Sequence, residues 1–438
     1  MIILILGLFC ISYFSLGKDL FQPSCIINAT WLLSAICSWI NLGLWKFELH
    51  ANTVIVILCA LLCIYLVNLF FYKFSNPKKN EKSRPLKFIS VNGIVLAVFV
   101  LIQLVTIVLY YREIIRITGG DMSFHAMMKV FRNATSYGME DEVTFVVRQL
   151  AKLSLVTSIV FMFVFCNNYL IGGFKNNKRN LIPSGIYFIQ AFLTGGRYNL
   201  AILLIATIVS MVLLRYRQIK KSVRLTFKLF AATVLGFVLI SIGFYGAMYL
   251  VGRDSNLNMI SYIAKYLGGS VPLLDMFLQE GLPHSEIWGK ETFYGIINSL
   301  SKRGFLNVER YIVHLEFRTS NGMNVGNVYS ALRRPLADFG IGGMLLLQAL
   351  FSAIMSYAYN RVKLRGSDIG IILYSLFAES IFFHFYHDHF YSYHISFGTL
   401  LAILMIVIVY KVVIKTSKRD IKAQSQYTKQ YSESTNGR

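Results

Sequence analysis

The sequence predicts an all-α polytopic membrane protein of about eleven transmembrane helices, with one large helical loop outside the cytoplasm. Three observations predict it. Apolar runs of membrane-crossing length recur along the 438 residues, basic residues gather in alternate connections, and one connection is too long and too apolar to be a turn. The chain is 55% hydrophobic and only 15% charged. A helix needs about 20 apolar residues to cross the hydrocarbon core. Runs near that length fall at 2–17, 26–45, 52–72, 88–110, 149–167, 181–194, 197–214, 228–250, 337–359, 368–385 and 394–412. The first run has the look of a signal peptide, but it lacks a basic start and a small-residue cleavage site, so it reads as a span. The pair 181–194 and 197–214 is short and split by Gly195-Gly196, which fits two tilted spans or a broken helix.

The formal net charge of +22 suggests a nucleic-acid partner until its distribution is examined. Lys18, Lys73–Lys87, Lys175–Arg179, Arg215–Lys228, Arg361–Arg365 and the tail from Lys411 hold 26 of the 43 lysines and arginines. With the adjoining Asp19 and Asp368, the same connections hold only 5 of the 21 acidic residues. Such asymmetry is the positive-inside pattern of membrane topology. It puts these connections in the cytoplasm, the N-terminus outside, the C-terminus inside and Val251–Leu336 outside, and it removes the case for nucleic acid.

Four units follow: an N-terminal bundle over 1–250 with an outer segment at 111–148, the outer loop 251–336, a C-terminal bundle over 337–412, and a polar, disordered tail over 413–438. A loop of this length is usually functional or disordered. Its Tyr262, Leu267, Phe277, Trp288, Phe293 and Tyr294 argue that it folds. The helical spacing of Ile260, Ile263, Leu267, Leu273, Leu274 and Phe277 predicts a helix pair along the membrane surface, interrupted at Gly268-Gly269 and Pro272. Five of the six cysteines lie in apolar runs and Cys25 lies beside one, so they read as buried hydrophobes; the outer loop has none and is no disulfide scaffold. Neither Walker nor Rossmann spacing occurs, and the cytoplasmic connections are too short for a nucleotide-using unit. Any chemistry is therefore expected at the outer face.

Arg197, in Thr194-Gly195-Gly196-Arg197-Tyr198, is the first candidate: arginine near hydrocarbon is costly, the glycines admit close backbone approach, and a guanidinium fits phosphate bidentately. Arg333 and Arg334 stand just before the ninth span, and Arg253 stands at the other end of the loop; all three are candidates for anion binding. Pro335 suits a helix start. Asp338 either favours the helix dipole and pairs with Arg334 or acts as a base. Gly340, Gly342 and Gly343 would let this helix pack closely in a membrane. Four of the eight histidines lie in His384-Phe-Tyr-His387-Asp388-His389-Phe-Tyr-Ser-Tyr-His394, which could furnish a base, a metal pair or an interfacial belt. His314 is a second base candidate. Glu379 is the clearest intramembrane carboxylate, with either a role or a packing contact to Arg or Tyr.

The chain resembles the Wzy-type repeat-unit polymerases of O-antigen, capsule and exopolysaccharide synthesis, which are related to the O-antigen ligases. The resemblance rests on Gly195-Gly196-Arg197 between two short spans, on Tyr266-Leu-Gly-Gly-Ser-Val-Pro-Leu-Leu-Asp275 opening the outer loop, and on Asn327-Val-Tyr-Ser…Asp338-Phe-Gly-Ile-Gly342 re-entering the membrane. It implies a C-type membrane glycosyltransferase, inverting and without metal or cofactor, that joins undecaprenyl-diphosphate-linked oligosaccharides outside the bacterial cytoplasmic membrane. It also implies membrane lipid, a flippase and a chain-length regulator as partners. On this reading Arg197, Arg253, Arg333, Arg334, Asn327 and Tyr329 contact substrate, and the base is His314, His387 or Asp338. Related ligases carry a loop histidine near where Asn327 and Val328 stand here, which argues against a ligase. A lipid-linked glycan flippase is the alternative from another class.

Overall fold

A computed structural model describes residues 1–75, 85–137, 143–175, 177–194, 198–229, 257–281, 287–308 and 314–415, with six isolated positions between 236 and 248. Its helices are α1 (Ile2–Ser15), α2 (Pro23–Ile40), α3 (Ala51–Phe74), α4 (Gly93–Thr118), α5 (Phe124–Tyr137), α6 (Phe145–Gly172), α7 (Ile182–Leu193) and α8 (Tyr198–Ile219). They continue with α9 (Met259–Gly268), α10 (Ser270–Gln279), α11 (Tyr294–Ser301), α12 (Arg333–Arg365), α13 (Asp368–Phe377), α14 (Glu379–Phe382) and α15 (Phe397–Lys415). A two-stranded antiparallel hairpin, β1 (Arg318–Ser320) and β2 (Met323–Gly326), interrupts the otherwise helical fold.

Seven of the described helices are long and apolar enough to cross a membrane: α2, α3, α4, α6, α8, α12 and α15. The remaining expected spans differ in form. Residues 2–17 and 181–194 give short helices, 368–385 gives the interrupted pair α13 and α14, and 228–250 lies largely outside the described residues. The tail beyond Lys415 also lies outside them.

The polarity of the bundle is inverted relative to a water-soluble protein. On α3, Thr53 and Asn68 are buried while Ile55, Leu62, Leu66 and Phe70 face outward. On α4, Gln103 and Thr106 are buried while Leu101, Leu104, Val105 and Val108 are exposed. Hydrocarbon accepts apolar side chains freely but leaves polar groups to find partners between helices. Gln103 illustrates this, donating to Ser158 and to the carbonyls of Ser154 and Pro183 on the neighbouring α6 and α7. Such bonds contribute about 0.6 kcal/mol each on average in membranes.

Three features position the candidate site. α9 packs along α2, and Asp275 on α10 accepts from the backbone N–H and ring Nδ1 of His50, so the start of the long loop is tied to the bundle. The hairpin is tied through Ser320, which donates to the Trp45 carbonyl at 2.7 Å. α12 runs against α3 but is kinked near its start, where Gly340 adopts φ +65°. A side chain at Gly340 or Gly342 would meet no atom within 4 Å. Close helix packing, expected of these two glycines, is therefore not what they provide. At Gly340 the left-handed backbone, open to glycine without a Cβ penalty, is the requirement. The kink separates the turn carrying Arg333, Arg334 and Asp338 from the long apolar helix below it.

Candidate functional site

The first turn of α12 is the hub. Arg333 and Arg334 are both buried, at 5% and 1% exposure. Arg333 pairs with Glu291 and approaches both oxygens of Glu316 at 3.5 Å, and its guanidinium lies over Phe277 at 4.3 Å. Arg334 donates to the Glu291 carbonyl at 3.2 Å and lies over the Tyr294 ring at 4.6 Å. Arg318 extends the ladder to Glu280, Glu316 and the Tyr329 oxygen, and Tyr329 in turn donates to Glu316 at 2.9 Å. Burial raises the Glu291 carboxyl above the usual range, and the two arginines offset this only in part. At the more open Glu316 the burial effect is outweighed by Arg333 and by hydrogen bonds, and its carboxyl is held below that range.

Asp338 faces the same loop. Its oxygens accept from the Thr292 N–H at 2.6 Å and the Glu291 N–H at 3.4 Å. It thus fixes the turn that carries Glu291, and no ion pair joins it to Arg334 among the described residues. Arg333, Arg334, Asp338 and Tyr329 are brought together as one charge-matched cluster rather than a bare cationic floor. Asn327 is half-buried just after β2 and makes no side-chain hydrogen bond among the described residues. His314 is half-buried two residues before Glu316. Arg197 and Arg253 lie outside the described residues.

The histidine segment packs directly on this hub. The Ala331 N–H donates to the His384 carbonyl at 2.9 Å. Trp31 on α2 donates through Nε1 to His384 Nδ1 at 3.0 Å, so His384 carries its proton on Nε2 and donates to Gln348 of α12 at 2.8 Å. Gln348 closes the circuit by donating to the Ala331 carbonyl. Both ring nitrogens of His384 are consumed, which leaves it no lone pair to form a metal pair with His387. Among the described residues no group of three or more His, Cys, Asp or Glu side chains is arranged to hold a metal ion.

Beyond His384 lies a small, half-open cleft with room for about one water molecule, lined by Gln348, Ser380, His384, His387, Asp388 and His389 among others. Asp388 is buried; its Oδ1 accepts from the Tyr391 N–H at 3.1 Å, and its Oδ2 is without a partner. Burial pushes the Asp388 carboxyl up to about 7, against the opposing pull of backbone N–H groups, Arg334 and His389. His387 has a buried, unpartnered Nδ1, and burial holds its ring well below the ordinary histidine value.

No known family, curated protein or solved structure matches this chain.

The site must therefore be read from its own geometry, and a π-helical turn over Phe390–His394 supplies a further piece of it. The turn is closed by the His394 N–H donating to the His389 carbonyl at 2.9 Å. It sets both imidazoles against Glu379, with His394 Nε2 at 2.7 Å and His389 Nδ1 at 3.4 Å. Tyr198 at the start of α8 donates to the other Glu379 oxygen and lies 2.9 Å from His389 Nδ1. π-helical turns recur at functional sites because they re-aim side chains that an α-helix would spread apart. The loop helix α11 rests on this turn at Gly295, where a Cβ would collide with the Ser392 carbonyl.

Sequence reasoning named Arg333, Arg334 and the histidine segment, and the structure brings these to one end of the bundle. It missed Glu291 and Glu316, isolated loop carboxylates with no pattern around them. It also singled out His387 over His389 and left Asp388 without a role. Of the two expectations for Glu379, a role or a packing contact to Arg or Tyr, the structure shows a contact to Tyr198.

Proposed function

We propose that this chain is a membrane glycosyltransferase of the repeat-unit polymerase type, acting at the outer face of a bacterial cytoplasmic membrane on undecaprenyl-diphosphate-linked oligosaccharides. The observation that carries the reading is the convergence of a buried arginine ladder and an acid–base cavity beneath a folded loop. These occur at the bundle end that charge asymmetry assigns to the outside. Diphosphate departure needs fixed positive charge near the leaving oxygens. Arg333, paired with Glu291 and Glu316, and Arg334, bonded to the Glu291 carbonyl, supply part of it, and Arg197, preceding Tyr198 in the chain, supplies more. A cavity of this size takes a reacting hydroxyl, while the sugar rings lie across its mouth under the loop. Asn327 and Tyr329, which follow the hairpin in the chain, are the proposed glycan contacts on the loop side.

The flippase reading draws on a second observation. Gln348, Ser352, Ser356 and Asn360 form a buried polar stripe down α12, towards a buried Asp19–Lys363 pair at the far end. The stripe is uncharged and lies beside Ile57, Leu61, Ile64 and Met355, all buried. Neutral polar side chains of this kind join helices in a membrane, and the titratable groups cluster at the two ends instead.

One experiment separates the two. Deleting the gene should shorten the host glycan to single lipid-linked repeat units that accumulate in the outer leaflet, and Arg197→Ala, still present in the membrane, should do the same. Units trapped in the inner leaflet would favour the flippase. Normal-length glycan from the Arg197→Ala chain would remove Arg197 from the site.

A further inference from the structure

We infer that His389 is the general base of this site, with Tyr198 and Glu379 as the residues that position it. The inference takes its substrate from the polymerase reading above and its residue from hydrogen-bond directions.

The Tyr198 hydroxyl has one proton and touches two groups, Glu379 and His389 Nδ1. A carboxylate only accepts, so that proton goes to Glu379. The Tyr198 oxygen is then the acceptor for His389, which must carry its own proton on Nδ1. The lone pair is left on Nε2, which forms no hydrogen bond among the described residues. His389 lines the cavity and keeps 15% of its side chain accessible, while Glu379 is fully buried. Glu379 is held from its other side by His394 at 2.7 Å, so it cannot swing away. It lies 3.4 Å from His389 Nδ1, close enough to stabilise an imidazolium.

The rival bases are less well placed. His384 has both nitrogens bonded, His394 is buried and turned to Glu379, and Asp338 is occupied by two backbone N–H groups. His387 shares the cavity, but no carboxylate is hydrogen-bonded to it among the described residues. A base oriented by a third group is the arrangement nucleophile activation requires.

In the step, the acceptor hydroxyl oxygen bonds to the anomeric carbon of the donor glycan as that carbon's bond to the lipid diphosphate oxygen breaks. The bonding electron pair leaves with the diphosphate, and the hydroxyl proton passes to His389 Nε2. The resulting imidazolium faces Glu379 through Tyr198 and later yields its proton to water.

Two measurements on the full-length chain test this. In lipid nanodiscs with ¹⁵N-labelled histidine, the His389 signals, assigned by their loss in His389→Gln, should report a protonated Nδ1 and a bare Nε2. Tyr198→Phe should mix the tautomers. A proton on Nε2 in the unmodified chain overturns the assignment whatever the substrate. In cells that depend on the chain for glycan growth, His389→Gln should lower transfer by about 10²–10⁴-fold, and Tyr198→Phe by about 10²-fold through misplacement of the ring. Normal glycan from His389→Gln overturns the base alone. Unchanged glycan on deleting the whole gene overturns the polymerase reading and the role of the base with it.

Discussion

Arg333 was legible in the sequence as a functional candidate, but its partners were not. Its guanidinium is 6% exposed and its partner Glu291 16%, so each is the main compensation for the other's loss of water. Removing one partner of a buried pair costs about 3–5 kcal/mol, because the other stays charged and dry. Arg333→Ala should therefore destabilise the protein by about that much in a thermal or denaturant assay, and adding Glu291→Gln should restore part of the loss. Independent, additive losses would disprove the pairing. Asp388 gives a pH test. Its carboxyl ionises at about 7 in the folded protein, against an ordinary 3.8. A raised value means that the folded state holds the proton more tightly. The resulting stability is complete below 3.8 and is lost as pH rises through 7. The melting midpoint should fall across that window, and Asp388→Asn should flatten the fall. An unchanged slope in Asp388→Asn would place the titration elsewhere. Single-residue reasoning located these groups and stopped there, since burial depends on the whole fold and Glu291 lies 42 positions from Arg333.

At the scale of elements, the sequence was read best where hydropathy alone decides. The long spans α3, α4, α6 and α15 fall close to their apolar runs, because hydrocarbon enforces helix wherever apolar residues persist. The break between α9 and α10 falls at Gly269, inside the expected interruption. Hydropathy says nothing about a π-helical turn or a kink, and these two deviations aim the site. Gly295 and Gly342 make a controlled comparison. Gly295→Ala drives a Cβ into the Ser392 carbonyl and should cost about 1–3 kcal/mol, with loss of glycan growth as α11 lifts from the turn. Gly342→Ala meets open space and should change stability by no more than about 0.5 kcal/mol. Equal behaviour of the two variants would argue against the docking of α11 on the π-helical turn.

The whole molecule reads as a bundle whose helices show apolar side chains outward and whose largely apolar interior also holds polar groups paired between helices. Its fold class was recoverable because composition, periodicity and charge asymmetry all bear on it. The site was recoverable only in outline, because it is assembled from α2, α8, the long loop, α12 and the histidine segment together. Topology gives a direct test at this scale. Cysteines introduced at Trp288, on the long loop, and at Lys220, beyond α8, should divide by side: a membrane-impermeant maleimide added to intact cells should label position 288 and spare position 220. The reverse pattern would move the site to the cytoplasm and remove the polymerase reading.

The Trp31–His384 bond spans 353 positions of the chain. At about 5–20 residues per second, synthesis of that interval takes on the order of 20–70 seconds. Throughout it, the indole N–H of α2 sits in lipid without its final partner, whereas Ser24, Asn28 and Asn68 find theirs within α1 to α3. Premature stops shortly before His384 should yield well-inserted but short-lived products, cleared by membrane quality control sooner than their apolar content alone would suggest.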